Sequence, residues 1–140
     1  MDARTSETVN LPTRVKGLDH VVLRVADMAR AVKFYGDVLG LFEERRIEAA
    51  GLIMLRAGHS MIDLQDVKQG APVPAPEAGN MDHLCLRVEP WDEAAIKRHL
   101  DAHGVKYLPT VMRYGADGNG PSIYIVDPDG NEVELKGPPV

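Results

Sequence analysis

A single cysteine, Cys85, stands in 140 residues, so no disulfide can close within the chain. That favours a reducing, cytoplasmic setting. Aromatic residues are scarce, at 5%, which leaves little material for base-stacking platforms. A surplus of positive charge is missing as well. The net charge of −5 argues against a nucleic-acid partner and gives no reason for adhesion to an anionic membrane. No stretch approaches the roughly 18 consecutive apolar residues of a membrane span. Met1 to Asn10 is polar and does not read as a secretory leader. There is no GxSxG nucleophile elbow, and the glycine-rich GADGNG is not followed by the GK[ST] of a phosphate-binding loop. What remains is the composition of one compact soluble unit.

Residues 1–16 carry no hydrophobic period and are expected to form a mobile tail or late-docking arm. Residues 17–138 read as one domain built from two modules, 17–68 and 80–138, joined by a proline-rich linker over 69–79. In the first, LDHVVLRV (18–25) predicts a strand and Asp27 caps a helix from Met28 to Leu39, closed by Gly40. Short strands are expected over 41–47, 52–56 and 61–65. The second module begins again with MDHLCLRV (81–88) and a helix over 91–103 closed by Gly104. Strands are expected at 105–109, 111–114, 122–126 and 132–136, with Asp127-Pro-Asp-Gly130 as a turn.

The repeat is visible by direct alignment. The two Asp-His pairs lie 63 positions apart (His20 to His83), and the helices align at 64 (Ala31 to Ala95, Gly40 to Gly104). The closing strands align at 71 (Asp63 to Glu134), so the second copy carries an insertion, expected as a loop at Tyr114 to Gly120. The predicted fold class is therefore α+β: two tandem βαβββ modules forming an open, cup-like mixed sheet with the helices outside.

Alternation along strands puts His20, Val22 and Arg24 on one face, and His83, Cys85 and Arg87 on the equivalent face. The two-fold repeat brings His20 and His83 to face each other, with Asp63 and Glu134 on the closing strands. Two imidazoles with one or two carboxylates suit one divalent ion (Ni, Zn, Mn, Fe or Co). A lone strand histidine is more often a structural residue, but recurrence in both modules beside a recurring carboxylate favours ligation. Cys85 reads as a small buried thiol, and His59, His99 and His103 as surface residues. Arg24 reads as a solvated strand arginine paired with a carboxylate, and Arg87 repeats it. Tyr114 and Asn119 in the inserted loop, and Ser122 and Tyr124 on one strand face, are the remaining candidates for substrate contact.

DHVVLRV, AVKFYGDVLGL, DHLCLRV and DPDGNEVEL, within the paired βαβββ pattern, resemble the vicinal oxygen chelate superfamily (glyoxalase I, fosfomycin resistance, bleomycin resistance and extradiol dioxygenase). The resemblance implies metal ligation by His20, His83 and Glu134. The fourth glyoxalase-type ligand falls on Asp63, one methylene shorter than the usual Glu, with Gln65 on the same face as its alternative. It further implies a lyase or isomerase acting on a small substrate that chelates the metal through vicinal oxygens. Glu134 and Asp63 would be its proton carriers and Arg24 a substrate-gripping residue, in a protein that pairs as a homodimer. An extradiol-type dioxygenase, a fosfomycin-type thiol transferase and a non-catalytic antibiotic-binding protein share the fold and are the alternatives.

Overall fold

The computed structural model describes Val15, residues 17–69 and residues 81–140. The predicted tail, apart from Val15, and the predicted linker beyond Gln69 lie outside the described residues. The first module runs β1 (His20–Val25), α1 (Met28–Asp37), β2 (Phe42–Ile47), β3 (Leu52–Ala57) and β4 (Ser60–Asp66). The second runs β5 (Leu84–Arg87), α2 (Glu93–Ala102), β6 (Val111–Gly115), β7 (Gly118–Val126) and β8 (Glu132–Lys136). Each module makes one four-stranded mixed sheet, in the orders β1-β4-β3-β2 and β5-β8-β7-β6. The first strand pairs parallel to the last, and the remaining pairs are antiparallel. The duplication read from the sequence is thus a duplication of topology.

Local chemistry sets the element ends. The Asp27 carboxylate accepts the backbone N–H of Arg30 at the start of α1, and Asp92 accepts that of Ala95 at the start of α2. Gly40 and Gly104 follow the helices with φ of 73° and 66°, a left-handed conformation that side chains resist. Two expectations are corrected. Residues 105–109 form no strand: Tyr107 makes an isolated bridge to Ile125, and Pro109 has no N–H with which to extend a ladder. The glycine-rich insertion is not an open loop but a tight hairpin, with Tyr114 opposite Asn119 and Gly115 opposite Gly118.

The core occupies one side of each sheet. Leu23, Val25, Ile53, Leu55, Ile62 and Leu64 from the first sheet, and Ile123, Ile125, Val133 and Leu135 from the second, pack with Ala31, Phe34 and Tyr35 of α1 and Leu100 of α2. The residues that alternate with them, including His20, Val22, Cys85 and Arg87, face away from this core on the open side of their sheet. Specific polar contacts also join the modules. The hydroxyl of Tyr35 donates to the Asp127 carboxylate at 2.7 Å. Asp129 accepts the backbone N–H of Ala26 at 3.0 Å and the Arg30 guanidinium at 3.1 Å. The His99 ring Nε2–H donates to the Val38 carbonyl at 2.8 Å, a structural use that the surface reading of His99 did not anticipate.

Tyr35 is fully enclosed, and burial with the neighbouring Asp127 pushes its phenol far above the ordinary range, so it acts as a permanent donor. Tyr35→Phe is expected to lower unfolding stability by about 1.5–3 kcal/mol, the scale of a hydrogen bond to a charged acceptor. Chemical denaturation checks this; a loss below about 0.5 kcal/mol would show that the contact does not hold the modules together.

Candidate metal centre

Each open sheet face presents one imidazole and one carboxylate. On the first, β1 and β4 run in parallel with Val22 opposite Asp63 and Arg24 opposite Gln65, and His20 Nε2 lies 4.0 Å from Asp63 Oδ2. On the second, Cys85 stands opposite Glu134, and His83 Nε2 lies 3.1 Å from Glu134 Oε1. The histidines are partly open to solvent and the carboxylates are buried, with Asp63 at 6% and Glu134 at 5% exposure.

Both imidazoles are oriented by the aspartate that precedes them. His20 Nδ1 meets Asp19 at 2.7 Å, and His83 Nδ1 meets Asp82 at the same distance. An Nδ1–H donated to a carboxylate leaves Nε2 with its lone pair directed across the sheet, as a metal ligand requires. The adjacent carboxylates raise both imidazole pKa values above 6.5: Asp19 and then Asp63 for His20, and Asp82 and then Glu134 for His83, against an opposing desolvation. A lone-pair nitrogen facing a carboxylate oxygen is stable only with a cation or a proton between them. Asp63 gives a second sign: its Oδ1 is buried with no hydrogen-bond partner among the described residues, and burial raises its carboxyl pKa. The donor set, two imidazole nitrogens and two carboxylates, fits a divalent first-row transition ion.

The second half-site carries a polar network. Arg113 Nη1 donates to Ser122 Oγ at 3.0 Å, and Ser122 donates in turn to Glu134 Oε2 at 2.8 Å. Because a guanidinium has no acceptor, Ser122 can only pass its proton toward Glu134. The Tyr124 hydroxyl lies 3.3 Å from His83 Nε2, and the Arg113 guanidinium lies over its ring at 4.6 Å. The first half-site has Met54 and Leu52 where the second has Tyr124 and Ser122.

Of the predicted residues, the structure brings His20 to Asp63, and His83 to Glu134, Ser122 and Tyr124. Within the described residues of one chain it does not gather three of His, Cys, Asp and Glu into a single cluster. His20 and His83 line the same cleft of about 790 Å³ between the edges of β1 and β5. Gln65 spends its amide nitrogen on the Ala50 carbonyl at 2.8 Å, whereas Asp63 keeps an oxygen without a partner among the described residues. Arg24 is exposed opposite Gln65, while Arg87 is paired with Asp117 at 2.6 Å and Glu89 at 3.2 Å. Tyr114 and Asn119 oppose each other one residue out of phase with Arg113 and Gly120, and so lie on the far side of the hairpin from Glu134. Cys85 is exposed on the open face rather than buried. Desolvation and then Glu134 push its thiol up to about 11, so it stays protonated at neutral pH. Sequence reasoning missed Asp19, Asp82 and Arg113. The first two were signalled by the repeated Asp-His dipeptide; the third had no such marker.

Two repeated βαβββ sheets, each offering an aspartate-oriented histidine beside a buried carboxylate, define a chelate-type domain. Residues 17–135 match the Glyoxalase/Bleomycin resistance protein/Dioxygenase superfamily, and the chain belongs to it. It is 30% identical over 119 residues to a virulence protein of Salmonella typhimurium, covering 84% of this chain and 81% of that protein. It is 35% identical over 124 residues to a glyoxalase domain-containing protein of Mycosarcoma maydis, covering 86% and 68%. Among solved structures, an integron cassette protein from V. cholerae superposes with a TM-score of 0.74 at 30% identity, covering 91% and 98%.

Asp82→Asn is expected to weaken divalent-metal binding by about 10- to 100-fold while the fold is kept. In the wild type, metal uptake should fall as pH drops through the raised imidazole pKa values, above 6.5, because protons then compete for Nε2. Metal titration at stepped pH reads both; uptake unchanged between pH 8 and pH 5 would exclude histidine ligation.

Proposed function

We propose that this chain is a metal-dependent lyase or isomerase of glyoxalase type, acting on a small substrate through two vicinal oxygens. The observation that carries the reading is the pair of equivalent half-sites, each with its imidazole fixed by an aspartate and with a buried Asp63 oxygen left unpartnered. His20, His83, Glu134 and Asp63 would hold the ion. When bound, a divalent ion polarises the substrate oxygens and lowers the energy of negative charge developing on them.

The protein groups supply the proton handling and the alignment. Glu134 Oε2 is held by the Ser122 hydroxyl, which leaves Oε1 as the atom that takes and returns a proton at the substrate carbon. Asp63, its carboxyl raised by burial, is the counterpart across the cup. Tyr124 supplies a hydroxyl donor beside His83. The protonated thiol of Cys85 takes no nucleophilic part. A lyase or isomerase is preferred to a three-ligand dioxygenase or transferase because a second buried carboxylate faces the open cup.

The active form in this reading is a homodimer, with the His20–Asp63 half of one copy meeting the His83–Glu134 half of the other. Support comes from the free edges of β1 and β5 and from apolar side chains left exposed on the open faces, among them Val22, Phe42, Val111 and Val126. His20→Ala and His83→Ala should each abolish metal binding alone. Co-expressed, with the mixed dimer isolated by two tags, they should recover one metal per dimer, because one of its two sites contains no substitution. No recovery would place both halves of each site in one chain. No metal in the wild type after supplementation with Ni²⁺, Mn²⁺ or Fe²⁺ would sink the enzyme reading in favour of a metal-free binding module.

A further inference from the structure

Three cations share the open face of the second sheet with Glu134, and their fates differ. Arg87 is neutralised by Glu89 and Asp117. Lys136 is buried and donates to the Gly118 carbonyl at 3.0 Å. Its side chain lies against the hairpin so closely that a Cβ on Gly115 would stand 2.8 Å from its Cε, and one on Gly120 would stand 3.0 Å from its Nζ. That ammonium is committed to holding the hairpin. Arg113 is neither neutralised nor hidden. It is half-buried, and among the described residues no carboxylate lies within ion-pair distance of it. Its Nη1 is used on Ser122, while Nε and Nη2 have no protein partner among those residues.

A guanidinium does not shed its proton, so a partly desolvated one without a counter-charge is costly until an anion arrives. Its planar fork matches a carboxylate through two parallel hydrogen bonds, and the Tyr124 ring beneath it limits the directions in which it can turn. Its position is informative too. Arg113 is two hydrogen bonds from Glu134 by way of Ser122, so an anion bound there sits beside the reacting oxygens rather than at a distant handle.

We propose that Arg113 is a specificity-determining residue that receives a carboxylate of the substrate, so that the preferred substrates are small acids carrying a vicinal pair of oxygens. This inference rests on the vicinal-oxygen reading of the site. Arg113 was absent from the candidates that the sequence suggested, and the role proposed for it does not depend on which metal is bound.

The test compares two probes that share a vicinal hydroxyl pair and differ by one carboxylate: 3,4-dihydroxybenzoate and catechol. Calorimetric titration is run on Ni²⁺-loaded and on metal-free dimer, for wild type, Arg113→Met and Arg113→Lys, with metal content measured alongside. Wild type should prefer the acid by about tenfold or more, the scale of one charge-assisted hydrogen bond. Arg113→Met should erase that preference while catechol affinity and metal content hold. Arg113→Lys should keep part of it, since it retains the charge and loses the fork. An equal preference in wild type and Arg113→Met overturns the proposal. So does a loss of acid and catechol affinity in equal measure, which would mean that Arg113 only shapes the site through Ser122. A drop to monomer with the preference intact also overturns it, placing the guanidinium in the dimer interface. An Arg113-dependent preference in protein that takes up no metal keeps the anchor and removes the metal reading; metal uptake without any preference does the reverse.

Discussion

The carboxylate of Asp127 is the point on which the architecture turns. Oδ1 accepts the backbone N–H groups of Asp129 and Asn131, and Oδ2 accepts the Asn131 side-chain amide and the Tyr35 hydroxyl. Three of these bonds close the turn between β7 and β8 and so fix the register that presents Glu134. The fourth comes from α1 of the other module, 92 positions away in sequence. A charge with 4% of its surface exposed is tolerable because so many donors converge on it. One group thus shapes a turn and ties two repeats together, and the strand that leaves it carries Glu134.

The repeat is close in backbone and unequal in chemistry. Asp63 and Glu134 occupy equivalent places on β4 and β8. Glu134 accepts the Ser122 hydroxyl, itself held by Arg113, whereas Asp63 faces Met54 and keeps one oxygen without a partner among the described residues. Duplication supplied two similar imidazole–carboxylate pairs, and divergence of the flanking side chains made one donor-rich and left the other a nearly bare carboxylate.

Much of this was legible in the sequence because it is local or periodic. Alternation in DHVVLRV and DHLCLRV gave the faces, Asp27 and Gly40 gave the helix ends, and the repeat offset gave the equivalence of His20 with His83. What failed depended on three-dimensional context. Tyr114 to Gly120 is rich in glycine and polar groups and reads as a loop, yet cross-strand pairing folds it into a hairpin that turns Tyr114 and Asn119 away from the cup. Residues 105–109 look like a strand but reach only one bridge. The motifs around FYGDVLGL and DPDGNEVEL were recognisable as strings; that Tyr35 of one bonds Asp127 of the other is a tertiary fact that no spacing reveals. Arg113 was invisible for the same reason, since its role comes from a ring and a hydroxyl on the neighbouring strand.

Alternation has one more effect. On β4, β7 and β8 the odd and even positions belong to different economies: Ile62, Leu64, Ile123, Ile125, Val133 and Leu135 hold the core, while Asp63, Ser122, Tyr124 and Glu134 line the open face. A substitution in the second set exchanges groups in the cup and leaves the hydrocarbon packing untouched. Selection can therefore rewrite what the cup accepts one residue at a time, without first rebuilding the scaffold. Heritable variety at the open face is built into the pleat itself.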